Sequence, residues 1–131
     1  MADQFVLDLQ KFAKLTEDKI TLALRKIILE IFTRVVERTP VRDGRARGGW
    51  QVGINVRPEG ETSRIDKDGS PTISAGEADI LRAMLRDEIW ICNGVPYIGI
   101  LETGSSTQAP HGFLAITLRE FQQIVKSAPN K

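Results

Sequence analysis

The sequence predicts a small α+β domain, with a long N-terminal helix and a C-terminal helix packed on a small antiparallel β-sheet. Three observations carry that prediction. Residues 16 to 38 keep a helical period of apolar side chains, "WQVGINVR" and "DEIWICN" read as short strands, and Leu114, Leu118, Phe121 and Val125 return to helical spacing near the end. Helices gathered on one side of a short antiparallel sheet satisfy this order with a single core. At 131 residues and 41% apolar side chains, the chain fits one domain over 1–131.

The helical period runs from Asp3 to about Arg38, with a break near Leu15 and Thr16. Thr16 suits an N-cap, Glu17 and Asp18 place negative charge in the first turn, and Leu15 and Ile20 occupy the two positions of a hydrophobic staple. One apolar stripe holds Ile20, Leu24, Ile27, Ile31 and Val35; a second holds Leu22, Leu29, Phe32 and Val36. Together they span roughly 220° of the helix surface, against ~100° for a simple surface helix. Either the domain's own sheet and helices cover this arc, or a neighbouring subunit covers part of it.

Thr39-Pro40 stops the helix, because proline drives the preceding residue out of helical angles. After the turn "VRDGRARGG", Trp50, Val52, Ile54 and Val56 alternate with Gln51, Gly53, Asn55 and Arg57, which predicts a half-buried strand over 50–57. Residues 58–76, rich in charge, glycine and proline, read as a flexible loop or extended hairpin. A short helix is expected over Glu77 to Arg86, with Ile80, Leu81, Met84 and Leu85 inward, then the strand "DEIWICN". In "NGVPYIGILETGSSTQAPHGF", Asn93-Gly94 suits positive backbone angles at a strand end, and Tyr97 and Leu101 are spaced to bury on one side of a helical turn, Tyr97 as a core aromatic. The last helix is expected from Leu114 to about Lys126, packing back onto the sheet.

Composition narrows the function classes. Eighteen basic and seventeen acidic side chains leave the chain near neutrality, so bulk charge does not drive it onto nucleic acid or an anionic membrane. The N-terminus shows no basic leader followed by an apolar run, and no eighteen apolar residues run together, so a soluble protein without a membrane partner is expected. Cys92, in "IWICN", reads as a buried thiol in a reducing compartment. Ser105, Ser106 and Cys92 are nucleophiles on paper and His111 is the sole histidine, yet no nucleophile-elbow pattern surrounds them. One histidine and one distant cysteine do not make a zinc set, and no phosphate-binding or dinucleotide fingerprint is present. Glu59, Glu61, Asp66 and Asp68, mixed with Arg64 and Lys67, read as solvated carboxylates. No enzyme activity, cofactor or metal is expected.

The one charge cluster is Arg34, Arg38, Arg42, Arg45 and Arg47, with Gly44, Gly48 and Gly49 that allow close approach of a phosphate backbone. A small nucleic-acid-binding module using this arginine-rich turn, 34–47, is therefore an alternative. Glu37 and Asp43 interrupt the cluster and aromatic platforms are scarce. Arginines on a turn serve equally well against carboxylates of another subunit.

Two segments carry a resemblance. "TPVRDGRARGGWQ" resembles the T-P-V-D-T-G-R-x-R-x-x-W segment of phage tail completion proteins related to the lambda minor tail protein Z, through Thr39, Pro40, Val41, Gly44, Arg45, Arg47 and Trp50. "NGVPYIGILETGSSTQAPHGF" resembles that family's N-N-x-P-Y-A-x-x-L-E-x-G-x-S-x-Q-A-P-x-G segment, through Asn93, Pro96, Tyr97, Leu101, Glu102, Gly104, Ser106, Gln108, Ala109, Pro110 and Gly112. Arg42-Asp43 stands where the family has Asp-Thr, although Asp43 can still cap the turn one residue later. The resemblance implies a structural virion protein at the head-proximal end of the tail, assembled in the host cytoplasm. It would complete the tail tube and assist head-tail joining as a homo-oligomer, a hexameric ring. Implied partners are the tail tube or tail terminator and head-tail connector proteins, with room for non-specific contact with DNA in the channel. The interface residues expected on this reading are Arg42, Arg45, Arg47 and Glu102, Glu102 pairing with Arg45 or Arg47, together with Leu22, Leu29, Phe32 and Val36.

Overall fold

The structure, a computed structural model, describes residues 16–104, 106, 108–109 and 112–121. In chain order the elements are α1 (Glu17–Arg38), α2 (Arg45–Gly48), β1 (Trp50–Ile54), α3 (Ser70–Ile80), β2 (Ile89–Asn93), α4 (Ile98–Glu102) and α5 (Leu114–Arg119). The helix expected before Thr16, the Leu15 half of the staple and the stretch 122–126 lie outside the described residues.

α1 starts where its capping chemistry dictates. The Thr16 hydroxyl accepts from the Lys19 N–H at 3.3 Å, Glu17 and Asp18 occupy the first turn, and Thr39 ends the helix ahead of Pro40. Ala23, Ile27, Ile31, Phe32, Val35 and Val36 are buried. Phe32 and Val36 have no exposed surface, so these two members of the second stripe belong to the chain's own core and are not free for a neighbour. Leu29 is half-buried against that core, while Leu22 is 55% exposed. The ring of Phe32 leans on Gly76 of α3 so closely that any side chain there would collide with it, which lets the two helices approach.

β1 and β2 pair antiparallel in the register Trp50↔Asn93, Val52↔Ile91, Ile54↔Ile89. Trp50 and Val52 face the core with Ile89 and Ile91 packed beside them. The strand is shorter than the expected 50–57. Asn55 adopts φ 63°, its side chain bonds Asp87 at 2.9 Å, and Val56 is 71% exposed, so the chain turns before the alternation runs out.

The third helix falls earlier than expected, at Ser70–Ile80 and not 77–86. Its start is fixed by Asp66, whose Oδ1 accepts from the Asp68 and Gly69 N–H groups at 3.0 and 2.7 Å; Oδ2 accepts from the Thr72 N–H at 3.0 Å and its hydroxyl at 2.5 Å. Pro71 then sits in the first turn, where its missing N–H costs nothing. Ile80 is buried as expected, but Leu81 and Met84 lie in the turns beyond the helix and are 54% and 61% exposed. Residues 70–76 are thus helix, not loop.

α5 also turns another face inward. Thr117 and Phe113 are fully buried, whereas Leu114 and Leu118 point outward. Phe113 meets Trp50 edge-on, with ring centroids 5.9 Å apart, and Glu120 pairs with Arg34 at 2.8 Å and with Arg38. The closing helix is therefore fastened chiefly to the end of α1, not laid across the sheet.

Candidate docking cleft at the arginine turn

The first of the two segments folds around a buried chain of hydrogen bonds. The Thr39 hydroxyl donates to the Val35 carbonyl at 2.7 Å and accepts from the Trp50 indole N–H at 2.7 Å, all inside the core. Arg47 reaches back to the carbonyls of Thr39 and Glu37, each at 3.0 Å, and to that of Lys67 at 2.8 Å. Thr39 already caps the Val35 and Val36 carbonyls, and Arg47 adds the Glu37 carbonyl to the capped end of α1. The spacing Thr39, Arg47, Trp50 is thus a folding device, and Arg47 is not available to an outside partner.

The glycines of the turn are used by the chain itself. Gly44 has φ 92°, and a Cβ there would meet the Asp66 backbone at 2.8 Å; one at Gly48 would strike the Arg64 carbonyl. Arg64 donates to the Gly48 and Trp50 carbonyls at 3.0 and 3.1 Å, and the Thr62 hydroxyl to Gly48 at 2.6 Å. Residues 60–69 are consequently strapped over the turn, and the backbone that comes close is their own. Asp66, 3% exposed, is no solvated carboxylate. Burial pushes its carboxyl up, but the Thr72 hydroxyl and the Gly69, Thr72 and Asp68 N–H groups outweigh this and hold it below the ordinary value.

Together the two segments form a cleft of about 750 Å³ lined by Pro40, Val41, Arg42, Arg45, Tyr97 and Leu101 among others. Gln108 joins its walls: its carbonyl oxygen accepts from the Val41 N–H and its amide donates to the Val41 carbonyl, both at 2.8 Å. Arg45 grips Glu61 with both arms of its fork, the second at 2.8 Å, and lies 5.5 Å from the Tyr97 ring centre. Tyr97 is therefore a half-buried wall of the cleft, not a core aromatic. Asp43 caps the turn, its Oδ1 accepting from the Arg45 N–H at 3.0 Å, which holds that carboxyl below its usual range. Arg42 is exposed at the rim and makes no hydrogen bond or ion pair among the described residues.

Glu102 is neither solvated nor paired with Arg45 or Arg47. It accepts from the N–H groups of Phe113, Leu114 and Ala115, each at 2.9 Å, and ties α4 to the start of α5. Gly94 keeps a negative φ; a side chain there would collide with the Gly60 carbonyl, so close approach and not a left-handed turn calls for glycine. Of the eight expected interface residues, the structure brings Arg42 and Arg45 to the cleft, leaves Leu22 open at the far end of α1, and commits Arg47, Glu102, Phe32 and Val36 to internal contacts. Leu29 is half-buried.

Of the five clustered arginines, Arg34, Arg38, Arg45 and Arg47 are engaged within the chain. Cys92 is half-exposed on the outer sheet face opposite Gln51, not a buried thiol. His111 and Ser105 lie outside the described residues. Among those described, no group of His, Cys, Asp and Glu could hold a metal ion, and no helix is long and apolar enough to cross a membrane. No family model, curated protein or solved structure matches the chain.

Gln108, Arg64 and Asp66 are the determinants that pattern reading misses. Asp66 alone had a signal, since an acid shortly before Gly69-Ser70-Pro71 is the composition of a helix start. The other two act over 67 and 16 residues of sequence, which no local pattern encodes.

Proposed function

We propose that the protein is a structural component of a phage virion, sitting at the head-proximal end of the tail. There it completes the tail tube and assists head-tail joining as one subunit of a homo-oligomeric ring. The observation that carries the reading is the cleft itself. The two segments that resemble tail completion proteins converge on it, although residues 52–92 separate them in sequence. A concave surface clamped by Gln108 and walled by Tyr97 and Arg45 is preorganised for protein contact, with an aromatic face and a guanidinium at its centre. Leu22, exposed on α1, adds apolar surface of the kind an assembly covers.

The decisive experiment images tails assembled with and without this chain, at a resolution that counts subunits. The proposal expects a ring at the head-proximal end, six copies in it, and unjoined heads and tails in its absence. Tails that join heads normally without the chain would overturn it. The same preparation distinguishes the alternative, a nucleic-acid-binding module at the arginine turn. That module predicts affinity for DNA falling steeply with salt, and lost on Arg42→Ala.

A further inference from the structure

We propose that copies of this chain join head to tail, Glu17 and Asp18 in the first turn of α1 of one copy seating against Arg42 in the cleft of the next. This rests on the ring reading above and names its contact.

The charges are complementary. Arg42 makes no hydrogen bond or ion pair among the described residues and has the adjacent Asp43 carboxylate as its countercharge in the cleft, while its neighbour Arg45 is already paired with Glu61. Glu17 and Asp18 are both exposed, and neither side chain makes a hydrogen bond or ion pair there. The apolar parts match as well. Leu22 follows Asp18 by one helical turn on the same face and is 55% exposed, and Tyr97 and Leu101 form a half-buried apolar wall beside Arg42. A carboxylate for the rim guanidinium and a leucine for the wall therefore arrive on one face of one helix.

Geometry decides between contact within a copy and contact between copies. Arg42 lies just past the C-terminus of α1, and the 22 residues of that helix put its first turn about 33 Å away. The mates cannot meet inside one chain. Because they are different patches at opposite ends of a rigid rod, repeating the contact head to tail closes a ring when the rotation allows. A two-fold antiparallel pair would use the same contact twice and stop at two copies, so a two-copy particle in the subunit count would overturn the head-to-tail arrangement.

The test uses the full chain in two charge-reversed forms, Arg42→Glu and the pair Glu17→Arg with Asp18→Arg, each shown by circular dichroism to remain folded. Assembly is read by light scattering over a concentration series and by subunit counts on tail ends. Each form alone is expected to associate at least tenfold more weakly than the unaltered chain. Mixed in equal amounts they should assemble again, since every junction in an alternating ring then pairs opposite charges. Glu77→Arg is the control, because Glu77 is exposed near the end of α3 and exposed Leu81 follows it by four residues just past that end, the same acid-to-leucine spacing as Asp18 and Leu22; it should leave assembly unchanged. If a reversal unfolds the chain, Arg42→Gln and Glu17→Gln with Asp18→Asn replace it, with weaker association expected from each and no rescue on mixing. Rings indifferent to Arg42, a mixture that stays monomeric, or an equal loss from Glu77→Arg would overturn the contact and leave the ring reading standing. An unaltered chain that forms no ring on tails would overturn the ring reading itself.

Discussion

The two halves of α1 carry similar apolar side chains and are enclosed to different degrees. Toward the C-terminus, Phe32, Val35 and Val36 are enclosed by Gly76 of α3, the Trp50 face of β1 and Phe113. Toward the N-terminus, Ala23 and Ile27 are buried, but Ile20 and Leu24 are only half-buried, Leu22 is open, and the neighbour reached by Arg25 is the turn at Ala83 and Met84. Burial along a helix is thus set by where other elements can crowd in, not by its own pattern. One continuous apolar arc is divided into a part enclosed in the core and a part, at Leu22, left open.

The largest test of that division is Phe32→Ala. It should destabilise the protein by about 4 kcal/mol in denaturant melts, because the space between α1 and α3 is closed by helix contact and cannot readily collapse further. A loss under about 1 kcal/mol would break the distinction between the halves.

Next comes Asp66, which fixes the start of α3 and with it the cover over Phe32. Asp66→Ala should cost about 3 kcal/mol by leaving the Gly69 and Thr72 N–H groups and the Thr72 hydroxyl without an acceptor. The sign of its pH dependence follows from the depressed folded value. The unfolded chain takes up the proton first, near the ordinary pKa of about 3.9, so the contribution is complete above that value and drains as pH falls through it toward the lower folded one. Acid melts of Asp66→Asn should lack this loss; an unchanged acid slope would show that Asp66 is not the group responsible.

Thr39→Val keeps the shape but removes both the donor to Val35 and the acceptor for Trp50, and should cost about 2 kcal/mol by thermal unfolding. Smallest of all, Leu22→Ser should change stability by less than about 0.5 kcal/mol while weakening any self-association seen by light scattering. A stability loss near that of Phe32→Ala would erase the contrast.

What could be read in the sequence was what local chemistry encodes. The Thr16 cap, the stop at Thr39-Pro40, the "IWICN" strand and the alternation from Trp50 to Ile54 all follow from neighbours a few residues apart. Pattern failed where a distant partner decided the outcome. Val56 continues the alternation but the Asn55–Asp87 bond turns the chain, and Leu114 and Leu118 keep helical spacing while Phe113 and Thr117 take the interior. At the cleft, the sequence identified the two segments and the turn arginines. It did not reveal that Arg47 and Glu102 are internal fastenings, because their acceptors and donors are backbone groups that every residue carries.

The two tryptophans report on different events. Trp50 is sealed between Thr39 and Phe113, whereas Trp90 sits half-open on the outer sheet face, its indole bonded to Glu88 at 2.6 Å and 5.9 Å from the Arg57 guanidinium. Replacing either one by phenylalanine would leave a single-colour fluorophore: emission from the inner ring reads loosening of the interior, and emission from the outer ring reads what lands on the sheet. The molecule thus carries its own pair of optical gauges, one for the interior and one for the outer sheet face, each read in its own single-tryptophan variant.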